Sequence, residues 1–167
     1  MNQAEALSRI KRGQHTHVIR CFLDSAYPEL IEIGDDCIIV DTRLLCHDAP
    51  SRVLDGLSPL GRIIIGNNVG VGTGATILYG SVIGDGCLIG GGAFITPGTV
   101  IPDGEFWGGV PARRICSVAD FIERRRRIME RQTPVTDYSK LAPGQLYYRR
   151  LSDDDLVIWM SKKWKLA

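Results

Sequence analysis

The chain has 167 residues, with 20 Lys and Arg against 19 Asp and Glu. This length is most economically a single domain with a continuous core, and the balanced charge gives no reason to expect nucleic acid as a partner. The five cysteines are an odd number without CxxC spacing. That pattern argues against both a disulfide framework and a structural zinc site.

The N-terminal residues carry no apolar stretch of signal-peptide length, and no run approaches the roughly 20 apolar residues of a membrane span. We therefore expect a cytoplasmic protein with no membrane span. Residues 2–12 have the spacing of a short amphipathic helix, because Ala6, Leu7 and Ile10 would share one face.

From Ile65 to Pro111 the sequence repeats every six residues. The first position of each unit is aliphatic until Trp107, the fifth is small or β-branched through Thr99, and glycine recurs at the fourth. The segments IGDDCI (33–38) and IVDTRL (39–44) follow the same template, and YPELIE (27–32) follows it loosely. A fixed period over this many units predicts a solenoid in which each unit stacks on the next.

The repeat is interrupted once. Ile33 and Ile65 are 32 residues apart, which is not a multiple of six, so the chain leaves the solenoid within 46–64 and returns out of phase. Extending the register of the first units predicts an inward Leu45 and an outward His47 at this junction. An excursion from a regular scaffold is where binding groups tend to lie.

Beyond the last repeat, Ser117 and Asp120 resemble a capping box that opens a helix. We expect residues 1–116 to form an N-terminal segment plus the solenoid domain. The helix and tail of 117–167 are expected to pack on the same domain, with residues 132–167 on the outside of the solenoid or on a neighbouring subunit.

This repeat, together with the closing segment GGVPARRI (108–115), resembles the hexapeptide-repeat acyltransferases. The loop and the placement of His47 look most like the sugar O-acetyltransferases of the galactoside and maltose acetyltransferase type. The resemblance implies an all-β fold, a left-handed parallel β-helix with three hexapeptides per turn, a protruding loop and a C-terminal α-helix. Residues 18 apart would then be vertical neighbours. Two columns follow, one outward (Asn67, Asp85, Asp103) and one nearly bare of side chains (Thr73, Gly91, Gly109).

The same resemblance implies that His47 is the catalytic general base. A histidine suits this role because its unperturbed pKa of about 6.5 lets it accept a hydroxyl proton near neutrality. Asp41 and Asp48 are the nearby carboxylates that could orient its imidazole, whereas Cys46 is interpreted as a packing residue. For coenzyme A, the resemblance implies Thr73, Gly91 and Thr96 along the bare strip, and Arg113 just after Pro111 and Ala112, with assistance from Arg114. A guanidinium suits the phosphates of the cofactor.

The predicted function is acetyl-CoA-dependent transfer of an acetyl group to a hydroxyl of a sugar or glycan precursor. Transfer would be direct, without a metal, in a homotrimer whose sites lie between adjacent subunits. An N-acetyltransferase for an amino sugar or nucleotide sugar stays open, because a general base serves either acceptor. A γ-carbonic-anhydrase-like zinc protein would need several histidines from the solenoid wall, where the sequence offers only His47. A non-catalytic repeat scaffold is the third alternative.

Overall fold

The structure, a computed structural model, describes residues 2–132. The chain divides into two compact units, residues 1–121 and residues 122–167. The predicted packing of the tail beyond residue 132 concerns residues outside the described range. Within that range, no helix is long and apolar enough to cross a membrane.

Fourteen short strands stack into three parallel ladders, which form the three sides of a β-helix. Sheet A contains β1 (Lys11–Arg12), β4 (Ile31–Ile33), β7 (Ile63–Ile65), β10 (Val82–Ile83) and β13 (Val100–Ile101). Sheet B contains β2 (His17–Ile19), β5 (Ile38–Val40), β8 (Gly70–Val71), β11 (Leu88–Ile89) and β14 (Glu105–Gly108). Sheet C contains β3 (Phe22–Leu23), β6 (Arg43–Leu45), β9 (Thr76–Leu78) and β12 (Phe94–Ile95).

The predicted vertical stacking is confirmed. Ile65, Ile83 and Ile101 are in register on one side, and the aliphatic first positions are buried throughout the repeat. Such ladders favour β-branched residues, which pack well on a pleated surface. The outward column is confirmed as well. The backbone N–H of Asn67 donates to Asp85 Oδ1 at 2.7 Å, and the N–H of Asp85 donates to Asp103 Oδ1 at 2.9 Å.

The fourth-position glycines turn the corners of the solenoid. From Gly74 to Gly104 they have φ between 65° and 79°, a region that costs an L-residue energy. In the earlier coils the equivalent turns are made by Asp36, Asp41 and Asn68, with φ of 49° to 55°. Asx side chains tolerate this conformation better than other non-glycine residues do.

The register predicted for the last strand before the excursion is wrong by one residue. Leu44 is fully buried and pairs with Ile77, whereas Leu45 lies on the outer face. The cause is the turn at Asp41. Buried Ile39 and buried Leu44 are separated by five positions instead of six. The loose match at 27–32 is also wrong as a repeat unit, because Pro28–Leu30 forms a 3₁₀ turn ahead of β4.

The solenoid begins earlier than the repeat predicts, with a full coil of β1, β2 and β3. Helix α1 (Gln3–Arg9) lies at this end and buries Ala6. The carboxamide of Gln3 pairs with both polar groups of Leu23, since Nε2 donates to the carbonyl at 3.1 Å and Oε1 accepts from the N–H at 2.7 Å. These bonds satisfy a strand edge that has no preceding coil.

The other end of the β-helix is closed by β15 (Arg113–Ser117), which pairs antiparallel with β14. Helix α3 (Val118–Glu130) follows, and its predicted cap is confirmed because the N–H of Asp120 donates to Ser117 Oγ at 3.0 Å. The ring of Phe121 packs on Phe106 with centroids 4.9 Å apart. The predicted excursion is present between β6 and β7 and contains the short helix α2 (Arg52–Asp55).

Candidate active site

His47 lies at the neck of the excursion, immediately after buried Cys46. Antiparallel backbone pairing closes this neck. His47 forms an isolated antiparallel β-bridge with Leu60. The N–H of Asp48 donates to the carbonyl of Pro59 at 3.0 Å, and the N–H of Gly61 donates to the carbonyl of Cys46 at 2.9 Å. A Cβ on Gly61 would lie 2.6 Å from the backbone nitrogen of Gly80, so the return path requires glycine. The backbone of His47 is therefore held at a defined place on the solenoid wall.

The carboxylate that orients His47 is Asp24, which follows β3 one coil earlier. Asp24 Oδ2 lies 2.5 Å from His47 Nδ1 and also accepts from the backbone N–H groups of Cys46 (2.8 Å) and His47 (3.2 Å). Asp24 Oδ1 accepts from the N–H of Ala26 at 3.0 Å. The side chain of Asp24 is only 2% exposed. A buried carboxylate needs such a set of donors, and their number fixes its position.

This contact assigns the tautomer of His47 from the hydrogen-bond network. Nδ1 carries the proton toward Asp24, which leaves Nε2 as the nitrogen with a free lone pair. Among residues 2–132, Nδ1 is the only ring nitrogen of His47 with a hydrogen-bond partner. The His47 side chain is 26% exposed. The arrangement can take up a proton at Nε2 while Asp24 stabilises the resulting imidazolium.

An open pocket of about 490 Å³ lies beside His47. Its walls are mostly apolar, since they are formed by Leu45, Ala49, Pro50, Leu78, Tyr79 and Pro97. Tyr79 lies one coil above His47, and Pro97 lies one coil above Tyr79, where the N–H of Gly98 donates to the carbonyl of Tyr79 at 3.0 Å. The ring of Tyr27, which precedes β4, meets the imidazole edge to face with centroids 5.2 Å apart.

Cys46 is a packing residue, as predicted. It is fully buried in the core, and burial raises the pKa of its thiol to about 12. A thiol in this environment is not ionised near neutral pH and is a poor nucleophile.

The two carboxylates named from the sequence do not orient the imidazole. Asp48 lines the pocket, and its carbonyl accepts from Ser51 and Ser58, so its backbone stabilises the loop. Asp41 forms an ion pair with Arg20, and its carbonyl accepts from the N–H of Gly74 at the corner between sheets B and C. Neither carboxylate is hydrogen-bonded to the His47 ring, which pairs with Asp24.

The residues predicted for coenzyme A occupy two corners. Thr73 and Gly91 stack at the corner between sheets B and C, where the N–H of Gly92 donates to the carbonyl of Thr73 at 2.9 Å. Thr96 instead follows β12 and lies on the same corner as His47, between sheets C and A. The predicted cofactor positions therefore do not form one continuous strip.

Arg113 and Arg114 differ in their surroundings. The turn that precedes Arg113 lies above Phe94. The N–H of Phe94 donates to the carbonyl of Gly109, and the carbonyl of Phe94 accepts from the N–H of Ala112. The turn is therefore at the top of the corner between sheets B and C. Arg113 is exposed and donates to the carbonyl of Ala112 at 2.8 Å. Arg114 instead forms an ion pair of 2.7 Å with Glu105. Hydrogen bonds from Trp107 and then Arg114 lower the pKa of this carboxyl.

Asp24 and Tyr27 are the site residues that sequence reasoning missed. Both lie in the segment DSAYP that connects the first coil to the second, outside any recognisable repeat. The available signal was the aspartate two residues before Ala26, since Asp commonly accepts from the backbone two residues on in such turns. Nothing in that local signal indicates a partner 23 residues later.

Comparisons with known proteins identify the class of fold. Residues 62–97 match the family model for the bacterial transferase hexapeptide, described as six repeats. The predicted resemblance to the hexapeptide-repeat acyltransferases is thereby confirmed, and the β-helix is the left-handed parallel β-helix of that class.

Two solved structures are similar at 25% identity. Galactoside acetyltransferase in complex with coenzyme A matches over 68% of this chain and 67% of its own, with a TM-score of 0.54. The polySia-specific acetyltransferase NeuO matches over 64% of this chain and 50% of its own, with a TM-score of 0.52. These similarities support the interpretation of this protein as an acyltransferase.

A hexapeptide-repeat acetyltransferase from Vibrio cholerae O1 biovar eltor, solved with acetyl coenzyme A, shares the fold at 18% identity and a TM-score of 0.54. That match covers 70% of this chain and 78% of the Vibrio chain. No curated protein matches the sequence. Within residues 2–132, no cluster of three or more His, Cys, Asp or Glu side chains could hold a metal ion.

Proposed function

We propose that the protein is an acetyl-CoA-dependent acetyltransferase that acetylates a hydroxyl group of a sugar or glycan precursor. One observation carries the proposal. A histidine oriented by a buried carboxylate presents its free nitrogen beside an open pocket, on a fold similar to that of galactoside acetyltransferase. The five free cysteines, which are typical of a reducing compartment, support a cytoplasmic location.

The proposed reaction is direct transfer. Nε2 of His47 takes the proton from the acceptor hydroxyl as its oxygen attacks the thioester carbonyl carbon, and backbone N–H groups stabilise the oxyanion. The tetrahedral intermediate collapses, the C–S bond breaks, and the leaving thiolate receives the proton from the imidazolium. Asp24 holds the ring throughout, so its carboxylate stabilises the charge that appears on His47.

We assign the phosphates of coenzyme A to the exposed guanidinium of Arg113. Arg114 contributes less in this assignment, because Glu105 already neutralises it. Thr73 and Gly91 would line the corner below Arg113, and Thr96 would contact the acyl end beside His47.

The separation of these groups supports a homotrimer with shared sites. Arg113 and the Thr73 column lie at the B/C corner, whereas His47 and Thr96 lie at the C/A corner, with sheet C between them. Packing of one subunit's B/C corner against the next subunit's C/A corner would join the two halves. The excursion supports this assembly, because Val53 and Leu54 are 88% and 87% exposed in the single chain and would be covered by a neighbour.

The proposal is tested by incubating the purified protein with acetyl-CoA and a panel of acceptors, with product identification by mass spectrometry. The panel contains methyl β-D-galactopyranoside, maltose, glucosamine and UDP-N-acetylglucosamine, so acetylation at oxygen and at nitrogen are distinguished. We expect an O-acetyl product and a fall in turnover of about 10²- to 10⁴-fold in His47→Ala.

The matched control is His15→Ala, since His15 also pairs with an aspartate, Asp36, but on an exposed turn. This variant should keep wild-type turnover. Full activity of His47→Ala would contradict the mechanism. Absence of both turnover and coenzyme A binding in the wild-type protein would contradict the proposed activity and favour a scaffold.

A further inference from the structure

Four residues form a column along the corner between sheets C and A, which we call the catalytic corner: Tyr27, His47, Tyr79 and Pro97. Each follows a strand of sheet C, namely β3, β6, β9 and β12 in that order. Because these strands are stacked in parallel register, the corner runs along the solenoid axis, and the ring contact between Tyr27 and His47 joins Tyr27 to the column. His47 therefore has one tyrosine on its N-terminal side and another on its C-terminal side.

The C-terminal side of His47 is the side on which the proposed donor would lie. The pocket extends from His47 past Tyr79 to Pro97. It points toward the end of the β-helix that carries Arg113, to which the phosphates of coenzyme A are assigned. A thioester reaching His47 from that end would enter through this pocket. The acceptor must then approach Nε2 from another direction.

The N-terminal side of His47 carries Tyr27, whose backbone is held in place and whose ring is partly exposed. The carboxylate of Asp24 accepts from the backbone N–H of Tyr27 at 3.4 Å and also contacts the His47 ring, so one buried group holds both the Tyr27 backbone and the imidazole. The next residue, Pro28, is buried and anchors the segment. Tyr27 itself is 38% exposed, although it contacts the His47 ring edge to face. Its position leaves aromatic surface beside the base.

We infer that Tyr27 is an acceptor-binding residue, against which the apolar face of a pyranose ring packs while its hydroxyl reaches His47. An exposed aromatic ring offers a broad apolar face at little cost in side-chain entropy, which suits the C–H face of a pyranose ring. Donor and acceptor would thus approach His47 from opposite ends of the catalytic corner. This inference rests on the proposed acetyltransferase function.

The test compares Tyr27→Ala, Tyr27→Phe and Tyr79→Ala, with methyl β-D-galactopyranoside as the sugar probe. Sugar KM and acetyl-CoA KM are measured separately, and coenzyme A binding is measured by calorimetry without sugar. We expect Tyr27→Ala to raise the sugar KM about tenfold, which corresponds to the loss of one aromatic contact. Its acetyl-CoA KM and coenzyme A affinity should not change. Tyr27→Phe should stay near wild type, and Tyr79→Ala should show the reverse pattern.

Each other outcome overturns the inference. A lower kcat with an unchanged sugar KM in Tyr27→Ala would mean that the ring only packs on His47. A raised acetyl-CoA KM would place the donor on this side, and a wild-type protein that does not bind the galactoside would exclude this class of acceptor. Failure of the proposed function is distinct, because wild-type protein would then not bind coenzyme A. Tyr27→Leu, which keeps apolar bulk but removes the ring, serves if Tyr27→Ala does not fold.

Discussion

At the level of single residues, the orientation of the His47 ring depends on how Asp24 is held. Its two oxygens accept from backbone N–H groups on both sides of the site, and Oδ2 also contacts the imidazole. The aspartate therefore couples the position of the ring to that of the loop neck. A change at Asp24 should disturb the tautomer of His47 before it disturbs the binding of the donor.

We predict that Asp24→Asn lowers kcat by about 100-fold, because the amide presents a donor as well as an acceptor and can reverse the imidazole tautomer. Coenzyme A affinity should not change. The matched control is Asp36→Asn, an exposed carboxylate that pairs with His15 and whose positive φ also suits Asn. Steady-state kinetics and calorimetry on both variants check this prediction, and equal losses in the two variants would contradict it.

The pH dependence of the free energy of unfolding tests whether Cys46 is a packing residue. Burial raises the pKa of its thiol from 9.0 to about 12, so above pH 9 the unfolded thiol loses its proton while the folded thiol keeps it. The unfolded state then binds fewer protons, and the free energy of unfolding must fall as pH rises through this range. We expect urea midpoints to decline less steeply with alkaline pH in Cys46→Ala than in wild type. Turnover at neutral pH should be retained, and its loss would favour a chemical role for the thiol.

Among the secondary-structure elements, the two ends of the solenoid satisfy their unpaired backbone N–H and C=O groups in different ways. The Gln3 carboxamide replaces a neighbouring strand at Leu23, and the antiparallel β15 covers β14 at the other end. These caps keep open strand edges from pairing with other chains.

We predict that Gln3→Glu destabilises the fold by about 1 kcal/mol, because a carboxylate cannot donate to the Leu23 carbonyl. Gln3→Ala removes both bonds and should cost at least as much. The free energy of unfolding from urea titration is the measurement. If Gln3→Glu unfolded with wild-type stability, the side chain would not act as a cap.

The stacked coils were predictable because the six-residue period is a direct consequence of the inward ladder of Ile65, Ile83 and their equivalents. The shortened turn at Asp41 was not predictable, since no local signal marks one missing residue. This turn places Leu44 in the core instead of Leu45. The first coil lacks the repeat, so its contribution to the site was also hidden. Asp24 directly follows that coil and contacts His47 only because the second coil packs on the first.

At the scale of the whole molecule, the separation of the two corners bears on assembly. His47 was predicted correctly to lie where the chain leaves the solenoid, because the phase slip is readable in the sequence. The prediction that Thr73, Gly91 and Thr96 lie along one strip failed geometrically, since sheet C separates the first two from the third. In the proposed homotrimer, a site shared between subunits would bring these groups together.

We predict that mixing two defective variants restores activity. In a trimer assembled at random from His47→Ala and Arg113→Glu subunits, about a quarter of the sites would receive an intact His47 from one subunit and an intact Arg113 from the next. Refolding the variants together and assaying at low acetyl-CoA measures this recovery, with each variant refolded alone as control. No recovery would mean that both residues serve one site within a single chain.

A double-mutant cycle on acetyl transfer with His47→Ala, Asp24→Asn and the double variant tests whether Asp24 acts through His47. If Asp24 acts by orienting His47, its substitution should cost nothing further once the imidazole is absent, and the double variant should match His47→Ala. Turnover that falls multiplicatively in the double variant would show that the two residues act independently. Full activity in His47→Ala would contradict the account altogether.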